Sequence, residues 1–492
     1  MFPETKEDFL TLTKKANLIP IYKEYSSALE TPLAVFLKLK SNKHAFLLES
    51  VERGVQMGRF SFVGFEPRAI FKAKDKEISI EEQGEITNYT CLDPLKEIEG
   101  IFQKYIALSV PELPMFSGGA VGYFGYDMIR NWEDIPKGNI KDTDYPDCLL
   151  MFTDQLIIFD HVKQTMKIVI NVHVGNNPEE QYLEALQKIE IIKAKLDRPI
   201  PKDKLQKNKQ KEELDFQENT TPEEFKEKVK KAKKYIESGD IFQVVISRKI
   251  DFELKTDPLL IYQSLRSLNP SPYMFYLDFA DIKLVGSSPE IMVKVENNRA
   301  ELRPIAGTRP RGKTAEEDSV LIEDLLADEK EKAEHLMLVD LGRNDLGRVS
   351  QYGTVKVEEF MKVEKYSHVS HLVSKVTGKL KEGSNCFDVL RASFPAGTVS
   401  GAPKIRAMQI IDELEGEARG PYAGAVGSLG YNGNLDTCIT IRTLMINKNR
   451  ATIQAGAGIV ADSNPVNEYL ETCNKKGAIL KAIEIATKGE ED

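Results

Sequence analysis

Cysteine is scarce: Cys91, Cys148, Cys386, Cys438 and Cys473 are scattered over 492 residues, odd in number and without a C-x-x-C pair. That pattern excludes a disulfide framework and a cysteine-rich zinc site, and it fits thiols kept reduced. No apolar run approaches the ~20 residues needed to span a bilayer. The opening MFPETKEDFLTLTKK is mixed in charge and has no apolar core, so it reads as neither a signal nor a transit peptide. A cytoplasmic protein is expected. No long basic stripe offsets the net charge of -9, which argues against nucleic acid as the main partner. Walker A and G-x-S-x-G motifs are missing, removing the P-loop ATPase and serine hydrolase readings. Gly456-Ala-Gly458 is too short for a dinucleotide fingerprint.

What is present describes a globular chain of several compact units, 41% apolar and 29% charged. Strand-like runs occupy the first third: Ala45–Leu48, Phe60–Val63, Ala69–Lys72, Leu149–Thr153 and Leu156–Phe159. Gly118-Gly-Ala-Val-Gly-Tyr-Phe-Gly-Tyr126 alternates glycine with aromatics, predicting sheet in which other backbone comes close. Glu179–Ala194 has helical periodicity, and a proline-led, lysine-rich segment follows. The expected division is an N-terminal region over 1–198, a charged linker over 199–220 and a second domain over 221–492. Thr221-Pro-Glu-Glu opens a helix, and a turn at Gly239 leads to a buried strand containing Gln243, an amide that needs partners or a ligand cavity.

Chemistry concentrates in the second domain. Pro304-Ile-Ala-Gly-Thr-Arg-Pro-Arg-Gly312 reads as a rigid loop whose two arginines would suit a carboxylate or phosphate. An acidic helix is predicted from about Thr314 to Leu341, carrying Glu331 and Glu334 three apart; Glu468 and Glu471 repeat the spacing near the C-terminus. Each pair could be a solvated helix face. Brought together they offer hard oxygen donors, favouring Mg²⁺ or Mn²⁺ over zinc. His335 directly follows Glu334, the wrong offset for a di-iron E-x-x-H pair. His371, Tyr422 and Arg442 stand as polar residues in apolar or glycine-rich surroundings, either satisfied in a core or facing a ligand. Leu47-Leu-Glu-Ser50 alone reads as a strand running out into solvent.

Ten motifs in one order carry a resemblance: GDIFQVVIS, NPSPYMF, PIAGTRPRG, EKAEHLMLVDLGRND, SHVSHLVS, PAGTVSGAPK, GPYAGAVG, TIRT, AGAGIVADS and ETCNKK. The chain resembles the chorismate-utilising enzymes, most closely their anthranilate synthase large-subunit branch, weakly before residue 170 and densely from 221 onward. The resemblance implies an α+β fold with two sheet-rich layers flanked by helices, its N- and C-terminal parts intertwined. It implies Mg²⁺ held by Glu334 and Glu471 and supported through water by Glu331 and Glu468. Chorismate would be held at Gly307, Thr308, Tyr422, Arg442, Gly456, Ala457 and Gly458. Glu290 would be the acid that helps the ring hydroxyl leave, with His371 and Thr398 lining the pocket. Arg309 and Arg311 are left without a role.

Two positions separate the sister reactions. Aminodeoxychorismate synthase relatives commonly carry a nucleophilic lysine where this chain has Ala306, and isochorismate and salicylate synthases a water-activating lysine where it has Gln243. Neither amine is here, so ammonia is the implied nucleophile and anthranilate with pyruvate the implied products. A separate glutamine amidotransferase small subunit, two of each chain in the assembly, is implied as the ammonia source. The LLES and NPSPYM motifs imply a tryptophan feedback site at Glu49, Ser50, Pro272, Tyr273 and Met274, which reverses the solvent reading of Leu47–Ser50. Ser428 departs from the aromatic usual after GAVG, which bears on the tightness of that inhibition.

Overall fold

A computed structural model describes residues 1–40, 44–51, 58–135, 140–201, 212–366 and 369–488. Strand periodicity of two governs the architecture. In Ala45–Glu49, Phe46 packs inward while Ala45 and Leu47 join a second core; in Tyr273–Phe279, Phe275 and Leu277 divide from Met274 and Tyr276 the same way. Both faces are therefore buried. One face meets another sheet and the other is covered by helices Lys6–Leu12, Pro32–Leu39, Pro178–Leu196, Pro258–Leu268 and Pro465–Lys488.

Among the described residues there are two twelve-stranded antiparallel sheets, and each mixes early with late strands. In the first, Ala45–Glu49 pairs with Tyr273–Phe279 in the register Glu49 to Met274. In the second, Gly119–Phe124 pairs with Ala425–Gly430, setting Gly122 opposite Gly427. The expected glycine role holds there: a Cβ on Gly122 would lie 2.0 Å from the Leu149 carbonyl oxygen, and one on Gly427 2.1 Å from that of Asp436. The intertwined α+β fold is thus observed. Of the charged segment, residues 202–211 lie outside the described residues, while Gln217–Glu218 adds a short edge strand.

Two local expectations are corrected. The Pro304–Gly312 stretch is not a free loop: Ile305–Pro310 is a strand paired with Val369–Lys379, bulged at Gly307. Gly307 has φ +71°, where a side chain is strained, so the bulge falls on the one residue suited to it. The acidic helix is two helices, Ala315–Ala327 and Glu329–Gly347. Asp328 separates them because its carboxylate caps the second, accepting from the amides of Lys330 and Glu331 at 3.0 and 3.2 Å. Among the described residues no helix is long and apolar enough to cross a membrane, and all five cysteines are free.

Candidate active site

Two of the places where the chain passes from one sheet to the other are neighbours. One crossing, Pro289–Glu290, joins Ile282–Ser288 to Ile291–Glu296; the other, Thr440–Arg442, joins Leu435–Ile439 to Thr443–Asn447. The crossings are stitched together, the Ile439 amide donating to the Glu290 carbonyl at 3.0 Å and the Ser287 amide to the Arg442 carbonyl at 3.1 Å. Polar residues gather here because the sheet ladders end here.

Glu290 sits in a narrow cleft shared with Thr398, Pro304 and Leu338. Thr398, on the short helix Gly397–Val399, donates its hydroxyl to Glu290 Oε1 at 2.9 Å. Burial pushes the Glu290 carboxyl up to about 8, and the Thr398 bond opposes this only in part. The carboxyl is therefore largely protonated at neutral pH and can donate.

A second group lines the first sheet's edge. Val244 and Ile246 of strand Gln243–Glu253 pack under helices, so Gln243 faces the other way. Its Nε2 donates to Glu334 at 3.0 Å, while Oε1 is buried and unpartnered among the described residues. On the paired strand Arg450–Ile459, Gly456 and Gly458 leave the room this needs. A Cβ on Gly458 would stand 2.7 Å from Gln243 Nε2, and one on Gly456 2.9 Å from the Tyr422 hydroxyl. Ala457, between them, points back into the helix-covered core.

Arg442 adopts φ +53°, a strained value for a side chain, and makes no side-chain hydrogen bond or ion pair to a described residue. Burial lowers its pKa, against the raising influence of Glu471 and Tyr422. His371 stands opposite Thr308 in the strand register. Its Nδ1 lies 3.0 Å from both the Gly307 carbonyl and the Thr308 hydroxyl. A carbonyl can only accept, so Nδ1 carries the proton and Nε2 is left as the acceptor; burial, pushing the ring's pKa down, keeps it neutral.

The carboxylate pairs lie on two helices, Glu331 and Glu334 on Glu329–Gly347, Glu468 and Glu471 on Pro465–Lys488, near enough for the charge of Glu471 to act on Glu334. Glu334 is pushed up by burial first, opposed by its Gln243 bond, and further raised by the charges of Glu331 and Glu471. Burial also raises Glu468, opposed by Ser463 and reinforced by Glu471. Glu471 pairs with Lys475 at 2.6 Å, and Lys475 donates to the Gly456 carbonyl at 2.9 Å. Among the described residues no three His, Cys, Asp or Glu side chains already converge as a finished metal shell. The donor chemistry nonetheless fits a hard divalent cation, which would relieve the crowding of like charge around Glu334.

The residues expected to hold tryptophan also meet. Glu49 accepts from Tyr262 at 2.6 Å and from Arg266 Nε at 3.1 Å, and is buried rather than solvent-facing. Glu49 opposes Met274, and the Val51 amide donates to the Ser271 carbonyl, placing Ser50 beside Pro272. Tyr273 donates to Asp436 of the other sheet at 2.8 Å, and Asp436 is the strand partner of Ser428.

One pair escaped the sequence reading. Arg419 and Glu415 form a fully buried ion pair; the arginine donates to the Val399 and Val245 carbonyls and lies over the Tyr126 and Tyr422 rings. The signal was available, a glutamate and an arginine four apart directly before Gly420-Pro-Tyr422.

A carboxyl pushed up to about 8 by burial, an arginine without a hydrogen-bond or ion-pair partner among the described residues, backbone left open at glycines and two carboxylate pairs form an arrangement that can hold an anionic substrate and protonate its leaving group. The family model for chorismate binding enzymes matches residues 43–481. Anthranilate synthase component 1 of Acetivibrio thermocellus is 48% identical, covering 99% of each chain, and that of Aquifex aeolicus (strain VF5) is 47% identical, again covering 99% of each. The crystal structure of anthranilate synthase component I from Streptococcus pneumoniae TIGR4 superposes with a TM-score of 0.75 at 36% identity, covering 92% of this chain and 98% of that one. The menaquinone-specific isochorismate synthase MenF of Escherichia coli shares the fold, with TM-score 0.73 at 19% identity over 97% of this chain and 98% of that one. The chain belongs to the chorismate binding enzyme family.

Proposed function

We propose that the chain is the large subunit of an anthranilate synthase. In this reading it converts chorismate and ammonia to anthranilate and pyruvate, the first committed step of tryptophan biosynthesis, in the cytoplasm. The observation that carries the chemistry is the Glu290 carboxyl set in its cleft and hydrogen-bonded to Thr398, where burial raises it to about 8. Ammonia adds at ring C2 and the bond from C4 to its hydroxyl breaks. Glu290 donates the proton that lets that oxygen leave as water. Loss of the C2 proton then expels the enolpyruvyl group as pyruvate and leaves an aromatic ring. Arg442, Tyr422, the Gly456–Gly458 backbone and the bulge at Gly307–Thr308 hold the substrate, with His371 fixing the bulge through Gly307 and Thr308.

Glu334 and Glu471 would hold Mg²⁺, with Glu331 and Glu468 supporting it through water. The ion supplies charge neutralisation for a substrate carboxylate. Ala306 and Gln243 offer no amine, which favours ammonia over a lysine-linked or water-derived product. The ammonia comes from a glutamine amidotransferase small subunit, in an assembly with two of each chain. Tryptophan binds at Glu49, Ser50, Pro272, Tyr273 and Met274 and inhibits. Purified chain given chorismate, ammonium and Mg²⁺ is expected to yield fluorescent anthranilate, abolished by EDTA. Folded protein that binds chorismate and forms no anthranilate overturns the reading.

A further inference from the structure

One guanidinium sits where three elements meet. Arg309 follows Thr308 on the strand Ile305–Pro310, and its Nη1 donates back to the Thr308 carbonyl at 3.1 Å. Its Nε donates to Asp324 of helix Ala315–Ala327 at 2.5 Å. Its Nη2 donates to Asp328 at 2.7 Å, and Nη1 reaches Glu331 at 3.4 Å. Asp328 is the cap of helix Glu329–Gly347: Oδ1 accepts the first-turn amides while Oδ2 accepts Arg309. A planar five-donor fork can serve three carboxylates and a carbonyl at once, which a lysine ammonium cannot reproduce in these directions. The longest of these contacts is to Glu331, so that carboxylate is guided and not locked.

We propose that Arg309 is a positioning residue for the carboxylate centre. By tying the substrate-holding bulge at Gly307–Thr308 to the cap of the next helix, it sets where Glu331 and Glu334 stand relative to the substrate. The inference rests on the reading that Glu334 and Glu471 hold Mg²⁺. It also gives the PIAGTRPRG arginine a task that is not anion binding, since its donors are already taken up by the protein's own acids. Arg311 serves as an internal control. Its Nε and Nη2 clamp Asp318 at 2.8 and 3.0 Å and its Nη1 donates to the Tyr366 carbonyl, contacts that do not include the Asp328 cap.

The test is a calorimetric titration of Mg²⁺ into the full chain with chorismate and no ammonium, beside the Mg²⁺ dependence of anthranilate formation at saturating chorismate. Arg309→Lys and Arg309→Gln are expected to raise the half-saturating Mg²⁺ concentration about tenfold or more in both readouts, the usual range for a group that orients a metal ligand. Arg311→Gln is expected to leave it at the wild-type value. Asp328→Asn keeps a capping oxygen but removes the charge facing Arg309; it should shift Mg²⁺ binding in the same direction, and it covers the case of an unfolded Arg309 variant. Folded Arg309 variants with wild-type Mg²⁺ binding overturn the assignment while leaving the metal reading intact. An equal shift in the Arg311 variant also overturns it, by showing a general effect on the fold. A wild-type chain that neither binds nor requires Mg²⁺ removes both readings.

Discussion

At the scale of single residues, Glu290 makes the sharpest demand. Its folded pKa of about 8 lies above the ordinary 4.5 because burial disfavours the charged form. As pH rises from 4.5 to about 8 the unfolded chain releases this proton while the folded chain keeps it, so the group's contribution to stability is lost across that window. An acid in this state donates below about 8 and not above it. Turnover is therefore expected to fall as pH rises through 8. Glu290→Gln should lower kcat by about a hundredfold or more, yet melt at a higher temperature than wild type at pH 8 and at the same temperature near pH 4. Melting curves at both pH values, beside a pH–rate profile, check this; a variant less stable at pH 8 would show a carboxylate that is charged and paired instead. Glu290 was identifiable in the sequence only through the family resemblance. Its burial, which sets its chemistry, comes from residues distant in the chain that line the same cleft, Pro304, Leu338 and Thr398 among them.

At the scale of elements, legibility followed how local the determining interaction is. The helix Pro222–Glu237 matched the expectation because Thr221 and Glu224 form a capping box three residues apart. The split at Asp328 was invisible: Leu-Leu-Ala-Asp-Glu-Lys-Glu is rich in helix formers, and only the choice of Asp328 to bond the next turn's amides divides it. The strand Ile305–Pro310 was hidden by its two flanking prolines and its glycine, which read as loop until Val369–Lys379 supplies the ladder. The glycines of Gly456-Ala-Gly458 were visible, but their reason was not. Each stands under a side chain from another element, and this yields a prediction. Gly458→Ala places a methyl 2.7 Å from Gln243 Nε2, the far end of a flexible side chain. Stability should change by less than about 1 kcal/mol, because the amide can swing away. The swing breaks the Gln243 bond to Glu334, so kcat/KM for chorismate should fall at least about tenfold. Unchanged kinetics would show that the amide's position does not matter.

Across the whole molecule, both sheets are completed by strands from both ends of the chain, so the proposed effector and catalytic sites share one frame. The registers that do this, Glu49 with Met274 and Gly122 with Gly427, depend on pairings between residues more than 200 positions apart, and only the resemblance made them foreseeable. Their consequence is a short path between sites. Ser50 adjoins Pro272; Tyr273 spans to Asp436 in the other sheet; and Pro272 and Tyr273 border a small cavity with Pro289 and Ile291, the residues on either side of Glu290. A ligand that wedges Ser50 from Pro272 would act on the crossing that carries the acid through the side chains that border this cavity. Ser50→Ala removes a hydroxyl from the proposed tryptophan cradle and leaves Glu49 bonded to Tyr262 and Arg266. The tryptophan concentration for half-inhibition should rise about tenfold or more, the effect expected when one polar contact in a buried ligand site is lost. kcat and KM without tryptophan should stay at wild-type values, since the Ser50 hydroxyl is not among the groups proposed to hold the substrate or the metal. Inhibition curves on wild type and variant at one chorismate concentration decide it: an unmoved midpoint places the effector elsewhere, and a matching loss of uninhibited turnover means that Ser50 supports the shared frame and not the ligand.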